Sequence, residues 1–261
     1  MLNDIKISPE EYQSIKPYPY YYMDNCMDNN FATELQNEIL NIDKEAFDRY
    51  ENPFETKFTF RDKFNYPPNL NKLINYLEDD NFIDKLSMIC GYKLIKDNER
   101  NFNGIHIYNN GDKLDIHVDA GIYHKNGLKK QLTLGIYLSY DWKPEYGCEL
   151  EVWKGDNAGE DNPKLEKCVF KIAPIFNRLI LFTNNDYSWH GNPEPVKNNN
   201  TNAKRIFITI SYLSDNLNDK NKRNKAYFIA RPNDLPNEEK DRLRLLRADP
   251  LKYKDVYKYT I

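Results

Sequence analysis

In "KLDIHVDAG" a histidine and an aspartate, His117 and Asp119, stand two positions apart inside an alternating apolar run. Side chains at that spacing on a β-strand share a face, with Cα atoms roughly 6 to 7 Å apart, so both can reach one ion while Val118 turns to the opposite side. Such pairs are common, and a polar barrel interior explains this one equally well. A third donor comes from "NRLILFTNNDYSWHGNPEP", where a strongly apolar strand ends in a polar loop that presents His190. Two imidazoles and one carboxylate leave part of the coordination sphere of a ferrous ion open for a cosubstrate and O₂, and the same donors suit zinc. A zinc hydrolase would add a general base and no site for a keto acid.

A later strand bears on that choice. In "RIFITISYL", Ile206, Ile208 and Ile210 occupy one face and Arg205, Phe207, Thr209 and Ser211 the other. An arginine at the mouth of the second face costs free energy unless an anion meets it, and its planar fork matches a carboxylate through two charge-assisted hydrogen bonds. On an arbitrary strand a snorkelling or ion-paired arginine is commoner; the position after a candidate metal ligand favours an anion site. "QLTLGIYLSY" turns Leu132, Leu134, Ile136 and Leu138 to the core and Thr133, Gly135 and Tyr137 to the inner side. There the Tyr137 hydroxyl either joins Arg205 at the carboxylate or is a satisfied packing group.

The elements that must position these groups fall into two regimes. Residues 1 to about 25 read as an extended arm, and "NNFATELQNEILNIDKEAF" spaces Phe31, Leu35, Ile39 and Ile42 as a helix. "FTFRDKFNYPPNL" must turn, and "NKLINYLEDDNFIDKLSMICGY" resumes helical spacing through Leu73, Leu77, Phe82, Leu86 and Ile89 to end near Gly91, so the first third is expected to be mainly helical. From residue 92 the period becomes two. "YKLIKD", "NGIHIYNN", "KLDIHVDAG", "QLTLGIYLSY", "CELEVWKG", "KCVFKIAP", "NRLILFTN" and "KRIFITISYL" follow one another between turn residues, which predicts an α+β chain with a two-sheeted β barrel or jelly roll. "LPNEEKDRLRLLRADP" predicts a late helix after the charged stretch "DNLNDKNKRNK".

Size and charge narrow the classes. At 261 residues the chain is expected to form one domain, with an arm and helices over 1–91, a β core over 92–213 and a C-terminal extension over 214–261. The balance of 37 basic against 40 acidic residues gives no chain-wide reason to expect nucleic acid or an anionic membrane as partner. Cys26, Cys90, Cys148 and Cys168 are widely separated, and no leader-like or spanning apolar run is present, so a soluble, cytoplasmic protein with reduced thiols is expected.

Taken in order, "IYNNGDKLDIHVD", "GIYLSYDWKPEYGCELEVW", "NRLILFTNNDYSWHG" and "RIFITISYL" resemble the 2-oxoglutarate- and Fe(II)-dependent oxygenases, within them the prolyl-4-hydroxylase-like branch, over about 110 of 261 residues. The resemblance implies a double-stranded β-helix (jelly-roll, cupin-like) core with N-terminal supporting helices and a C-terminal helix. It implies that His117, Asp119 and His190 bind iron and that Arg205 grips the distal carboxylate of 2-oxoglutarate. Tyr137 matches a tyrosine that assists that arginine in the hypoxia-factor prolyl hydroxylases, and Tyr108 and Thr209 match further pocket positions. Fe(II), 2-oxoglutarate and O₂, with ascorbate as an auxiliary reductant, are the cofactors so implied.

Two departures stand out. The usual glycine pair before the "EL" strand is Gly147 and Cys148, and "KNNNTNAK" lengthens the path from His190 to Arg205. The implied reaction is hydroxylation of a substrate C–H bond with release of succinate and CO₂. A peptidyl proline is the first substrate to consider; a small molecule such as a sugar or nucleotide-linked metabolite is the alternative, and a non-catalytic cupin-like module is another. His106, on the parity of Tyr108, and His124, in a polar loop, receive no catalytic role. Trp142 and Trp153 are expected to pack, and Trp189 to pack or to wall the pocket mouth.

Overall fold

The computed structural model describes residues 1–261 except 124, 198–202, 217–222, 224, 250 and 259–261, and the backbone alone of 257 and 258. The His124 reading and parts of the "KNNNTNAK" and "DNLNDKNKRNK" segments therefore lie outside the described residues.

The helices before the barrel are α1 (Pro9–Ser14), α2 (Asn29–Leu40), α3 (Pro68–Leu77) and α4 (Asp80–Cys90). Helix α2 starts where the Asp28 carboxylate accepts from the backbone N–H groups of Asn30 and Phe31, and α4 ends at Gly91, whose φ of 76° is a conformation glycine adopts freely. One helical run expected over residues 71–92 is two helices, broken at Glu78 and Asp79, where the Asp79 side chain caps the second.

The first third is less helical than its spacing predicts. It also contributes β1 (Tyr20–Met23) and the hairpin β2 (Phe47–Asn52) and β3 (Glu55–Phe60). The N-terminal arm is a packed part of the fold, with Tyr12 and Tyr18 buried and β1 paired to a barrel strand. Tertiary pairing overrides local preference here, because an isolated hairpin this polar has little stability of its own.

The remaining strands are β4 (Ile95–Lys96), β5 (Gly104–Tyr108), β6 (Lys113–Val118), β7 (Lys129–Tyr137), β8 (Leu150–Gly155), β9 (Leu165–Ile172), β10 (Arg178–Thr183), β11 (Trp189–Asn192), β12 (Arg205–Ser214) and β13 (Tyr227–Phe228); α5 (Glu238–Ala248) follows. All pairings are antiparallel, in the order β1-β10-β7-β12-β5-β3-β6-β11-β8-β9. Strand β3 bridges β5 to β6, so the sheet curls into a half-barrel with β10-β7-β12-β5 as one wall and β6-β11-β8-β9 as the other. This is the α+β, double-stranded β-helix architecture expected.

The strand parities hold through the middle of the barrel. Leu132, Leu134, Ile136 and Leu138 of β7 and its end join Ile206, Ile208 and Ile210 of β12 against Leu35, Ile39, Leu70, Leu73 and Leu86 of the helices. Burial of these apolar faces is the main force that fixes the wall. The opposite faces of β7 and β12 then look into the barrel, where the polar candidates lie.

Candidate metal centre and cosubstrate pocket

His190 does not sit in a loop, as its polar surroundings suggest. It lies on β11, a strand of four residues inserted between β6 and β8, with His190 opposite His117 across the β6 pairing. Gly191 permits this: a Cβ there would meet the backbone oxygens of Asp115 and Leu114 at 2.7 and 2.8 Å, so any larger residue would push the strands apart. A glycine and an asparagine in so short a run hide the strand from pattern reading.

The three sequence-predicted donors converge. One ligand atom from each of His117, Asp119 and His190 lies within 4.8 Å of the other two. Asp119 Oδ1 is 3.5 Å from His117 Nε2, and Oδ2 is 3.7 Å from His190 Nε2. Each imidazole is oriented from behind: Nδ1 of His117 lies 2.9 Å from the Asp115 carbonyl and Nδ1 of His190 lies 2.7 Å from that of Ser188. A carbonyl only accepts, so both Nδ1 atoms carry a proton and it is both Nε2 atoms that face the carboxylate, leaving Nε2 as the atom each ring offers to a metal.

Electrostatics agree with that state. Burial, reinforced by His117, pushes the His190 imidazole down to about 4, which keeps it neutral. Burial opposes ionisation of Asp119, but the charge of Lys130 leads the interactions that outweigh it and hold the carboxyl well below its ordinary range. The Lys130 ammonium is 2.7 Å from Asp119 Oδ2. Two imidazole nitrogens and a carboxylate are the donor set of a hard-to-borderline divalent cation, and they fit Fe(II).

The same cavity, about 230 Å³, is lined by Tyr108, Tyr137, Arg205 and Thr209 as well as the three donors. Arg205 lies in the barrel wall, 2% exposed, which for an arginine is rare without a partner acid. Its Nε donates to the Cys148 carbonyl at 3.1 Å and its Nη2 to the Tyr137 hydroxyl at 3.3 Å, while Nη1 is buried with no hydrogen-bond partner. The rings of Tyr108, Tyr137 and Phe207 surround the guanidinium at 4.5, 5.0 and 5.3 Å, a cation-π cage that carries no opposite charge. Burial pushes the Tyr137 hydroxyl up to about 12, so it stays protonated and keeps a hydrogen to donate. An orphaned guanidinium donor beside that hydroxyl fits a carboxylate entering the cavity.

Local backbone serves this arrangement. The Gly147–Cys148 pair has φ values of 64° and 55°, so the cysteine that replaces the expected second glycine accepts a left-handed conformation and aims its carbonyl at Arg205. Gly135 leaves room for the Phe207 ring, whose Cζ would lie 2.2 Å from any added Cβ. Thr209 lines the cavity between Gly104 and Gly135. His106, on the parity of Tyr108, also lines it and is kept neutral by burial and by Lys57. Trp189 is fully buried with its indole N–H on the Asp156 carbonyl, so it packs and does not wall the mouth.

Lys130, Phe228 and Arg247 line the cavity without having been singled out from the sequence. Strict alternation puts Lys130 on the core side with Leu132. A bulge at Gln131, where the β12 register jumps from Tyr212 opposite Leu132 to Leu213 opposite Lys130, turns it inward instead. Phe228 arrives because β13 pairs with β6 and sets it opposite His117, ring centroids 5.0 Å apart. The short apolar "AYFIA" after a charged stretch was the available signal.

No curated protein matches the chain in sequence. Residues 104–213 match the family model of the 2OG-Fe(II) oxygenase superfamily. Among solved structures, a prolyl hydroxylase from Trichoplax adhaerens in complex with a hypoxia-inducible-factor peptide fragment is 18% identical with a TM-score of 0.58, over 78% of this chain and 87% of that one. A Pseudomonas putida prolyl-4-hydroxylase is 12% identical with a TM-score of 0.57, over 79% and 98%. A prolyl 4-hydroxylase from Phytophthora capsici is 19% identical with a TM-score of 0.57, over 97% and 79%. At these identities the likeness to the solved structures is one of fold, and the superfamily model covers residues 104–213, the stretch that carries His117, Asp119, His190 and Arg205.

Proposed function

We propose that the protein hydroxylates a C–H bond of its substrate, coupled to conversion of 2-oxoglutarate and O₂ to succinate and CO₂. In this reading His117, Asp119 and His190 hold Fe(II) on one face, and Arg205, with the Tyr137 hydroxyl, receives the distal carboxylate of 2-oxoglutarate. Tyr108 and Thr209 complete the wall of that subsite. The observation that carries the reading is the pairing of a three-donor cluster with a buried arginine whose Nη1 has no hydrogen-bond partner, both on one cavity.

When bound, the ferrous ion and the keto acid supply the oxidising chemistry; the chain's residues bind, orient and exclude. Asp115 and Ser188 fix the imidazoles through their carbonyls, Phe182 and Phe228 flank the imidazole rings, and the aromatic cage keeps water from the guanidinium. A zinc hydrolase is the weaker reading. Among the described residues lining the cavity, Glu55 is the one acid besides Asp119, and it is engaged by Lys57 at 3.0 Å and Asn52 at 3.3 Å, so no carboxylate is available as general base.

A peptidyl proline remains a candidate substrate because a neighbour of this fold is solved with a peptide fragment. A small molecule is favoured by a different observation: β13 lies directly beside the strand of His117, and Phe228 and Arg247 line a cavity of only about 230 Å³. The test is anaerobic addition of 2-oxoglutarate to the Fe(II)-loaded protein, followed by a succinate-release screen with proline peptides and with small metabolites. A weak visible charge-transfer band is expected on addition. No band and no succinate with any compound would sink the oxygenase reading.

A further inference from the structure

We infer that Arg247, from the C-terminal extension, is an anion anchor for the substrate, so that the oxidised molecule carries a carboxylate or phosphate a short distance from the reacting C–H bond. The inference rests on the oxygenase reading and adds the substrate's charge to it.

Arg247 belongs to the last turn of α5, on a helix whose sequence reads as a solvated charged face. Its surroundings are not those of a surface arginine. It lines the same cavity as the metal donors, and its Nε and Nη1 are buried without hydrogen-bond partners. Its guanidinium carbon stands 5.8 Å from the Phe228 ring, and that ring stacks at 5.0 Å on His117. One aromatic ring therefore separates the guanidinium from a metal ligand, the spacing expected of a group that holds the far end of a small substrate. Glu55 feels its field, but the Glu55 oxygens are taken by Lys57 and Asn52.

Charge balance points the same way. Among the described lining residues the cations are Lys57, Lys130, Arg205 and Arg247, and the anions Glu55 and Asp119. With a divalent metal and a dianionic keto acid bound, the metal, Asp119, the keto acid and Arg205 neutralise one another, and Lys57 neutralises Glu55. Lys130 and Arg247 are left in excess in a confined space, and an anionic substrate group is what balances them. Arg205 and Arg247 thus divide two anions between them: Arg205 takes the cosubstrate from the barrel wall, and Arg247 takes the substrate from the side of the C-terminal extension.

The test uses the full chain loaded with Mn(II), a redox-inactive stand-in, and saturated with 2-oxoglutarate, titrated calorimetrically with inorganic phosphate and separately with acetate. The wild type should bind at least one of the two, which tells phosphate from carboxylate. Arg247→Gln should weaken that binding by about tenfold or more, the loss of one charge-assisted fork. Arg242→Gln, on the exposed side of α5 and paired to Glu239, should leave it unchanged. If Arg247→Gln does not fold, Arg247→Lys, which keeps the charge and loses the fork, should bind the same anion more weakly than wild type. Anion binding indifferent to Arg247, or none in the wild type, overturns the inference while the 2-oxoglutarate band keeps the oxygenase reading intact. Loss of 2-oxoglutarate affinity in Arg247→Gln would place this arginine in the cosubstrate subsite and overturn it as well.

Discussion

The barrel walls and the C-terminal extension reach the same cavity by different routes. In the walls, β6, β7 and β12 present His117, Tyr137, Arg205 and Thr209 through strand alternation, and the facing walls determine how far apart they stand. In the extension, β13 and α5 deliver Phe228 and Arg247 from sequence that otherwise looks like surface, and Lys240 reaches Asp115 at 2.6 Å, the residue whose carbonyl orients His117. The difference teaches which parts of such a site are replaceable. On the proposed function, the groups that would meet the metal and cosubstrate are constrained by fixed chemistry and sit on the rigid sheet, and those that would meet a particular substrate come from the added segment.

The sharpest way to break the comparison is at Asp119. Asp119→Ala removes one donor of three and also leaves the Lys130 ammonium, now 2.7 Å from that carboxylate, without its counter-charge. Metal affinity should fall by more than the roughly 100-fold that loss of an outer orienting partner costs, as read by Mn(II) titration. Wild-type affinity in this variant would remove Asp119 from the metal set.

Next comes Arg205, where binding and stability should move in opposite senses. Arg205→Met should weaken 2-oxoglutarate by about 2–5 kcal/mol, the range for losing one partner of a buried charge pair, while sparing Mn(II). Without cosubstrate the guanidinium is a buried charge with no acid partner, so the same variant should melt no lower than wild type, or higher. A protein that loses both affinities equally, or that loses stability in the cosubstrate-free state, would mean that Arg205 is a structural group.

His117 and Arg205 are legible in the sequence because period-two alternation survives in β6 and β12: His117 on the face away from Val118, and Arg205 on the face away from Ile206. What escaped did so for local physical reasons. The bulge at Gln131 reversed the parity of Lys130, Gly191 let a four-residue strand insert where composition reads as loop, and the β2–β3 hairpin forms only because β5 and β6 are there to pair with it. The extension was opaque for another reason. Nothing in "KDRLRLLRADP" tells which of its arginines turns inward, since that is decided by how α5 docks on β13.

Phe228 tests the extension's hold on the core. It is 3% exposed and lies between the His117 and Phe54 rings, each centroid 5.0 Å away. Phe228→Ala should cost roughly 3 kcal/mol in urea unfolding and loosen the His117 ring, weakening Mn(II) by less than Asp119→Ala does. Unchanged stability would show that the extension rests on the barrel without bearing on it.

The smallest expected effect belongs to His106, on the wall opposite the extension. Burial first, then Lys57, Lys63 and Arg205, depress its imidazole well below the ordinary 6.5, and its Nδ1 lies 3.0 Å from the Thr59 hydroxyl. Between 6.5 and that depressed value the unfolded chain holds a proton the native chain refuses, so stability is intact above pH 6.5 and declines as pH falls through the window. One such group contributes at most about 1.4 kcal/mol per pH unit. His190, also depressed, adds the same sign in metal-free protein, so the comparison must be between wild type and His106→Gln, where His190 contributes equally to both. The variant should show a shallower decline between pH 6.5 and 4.5 in urea unfolding. Parallel curves would mean that His106 takes up its proton in the folded barrel, and that its wall is wetter than the extension's side of the cavity.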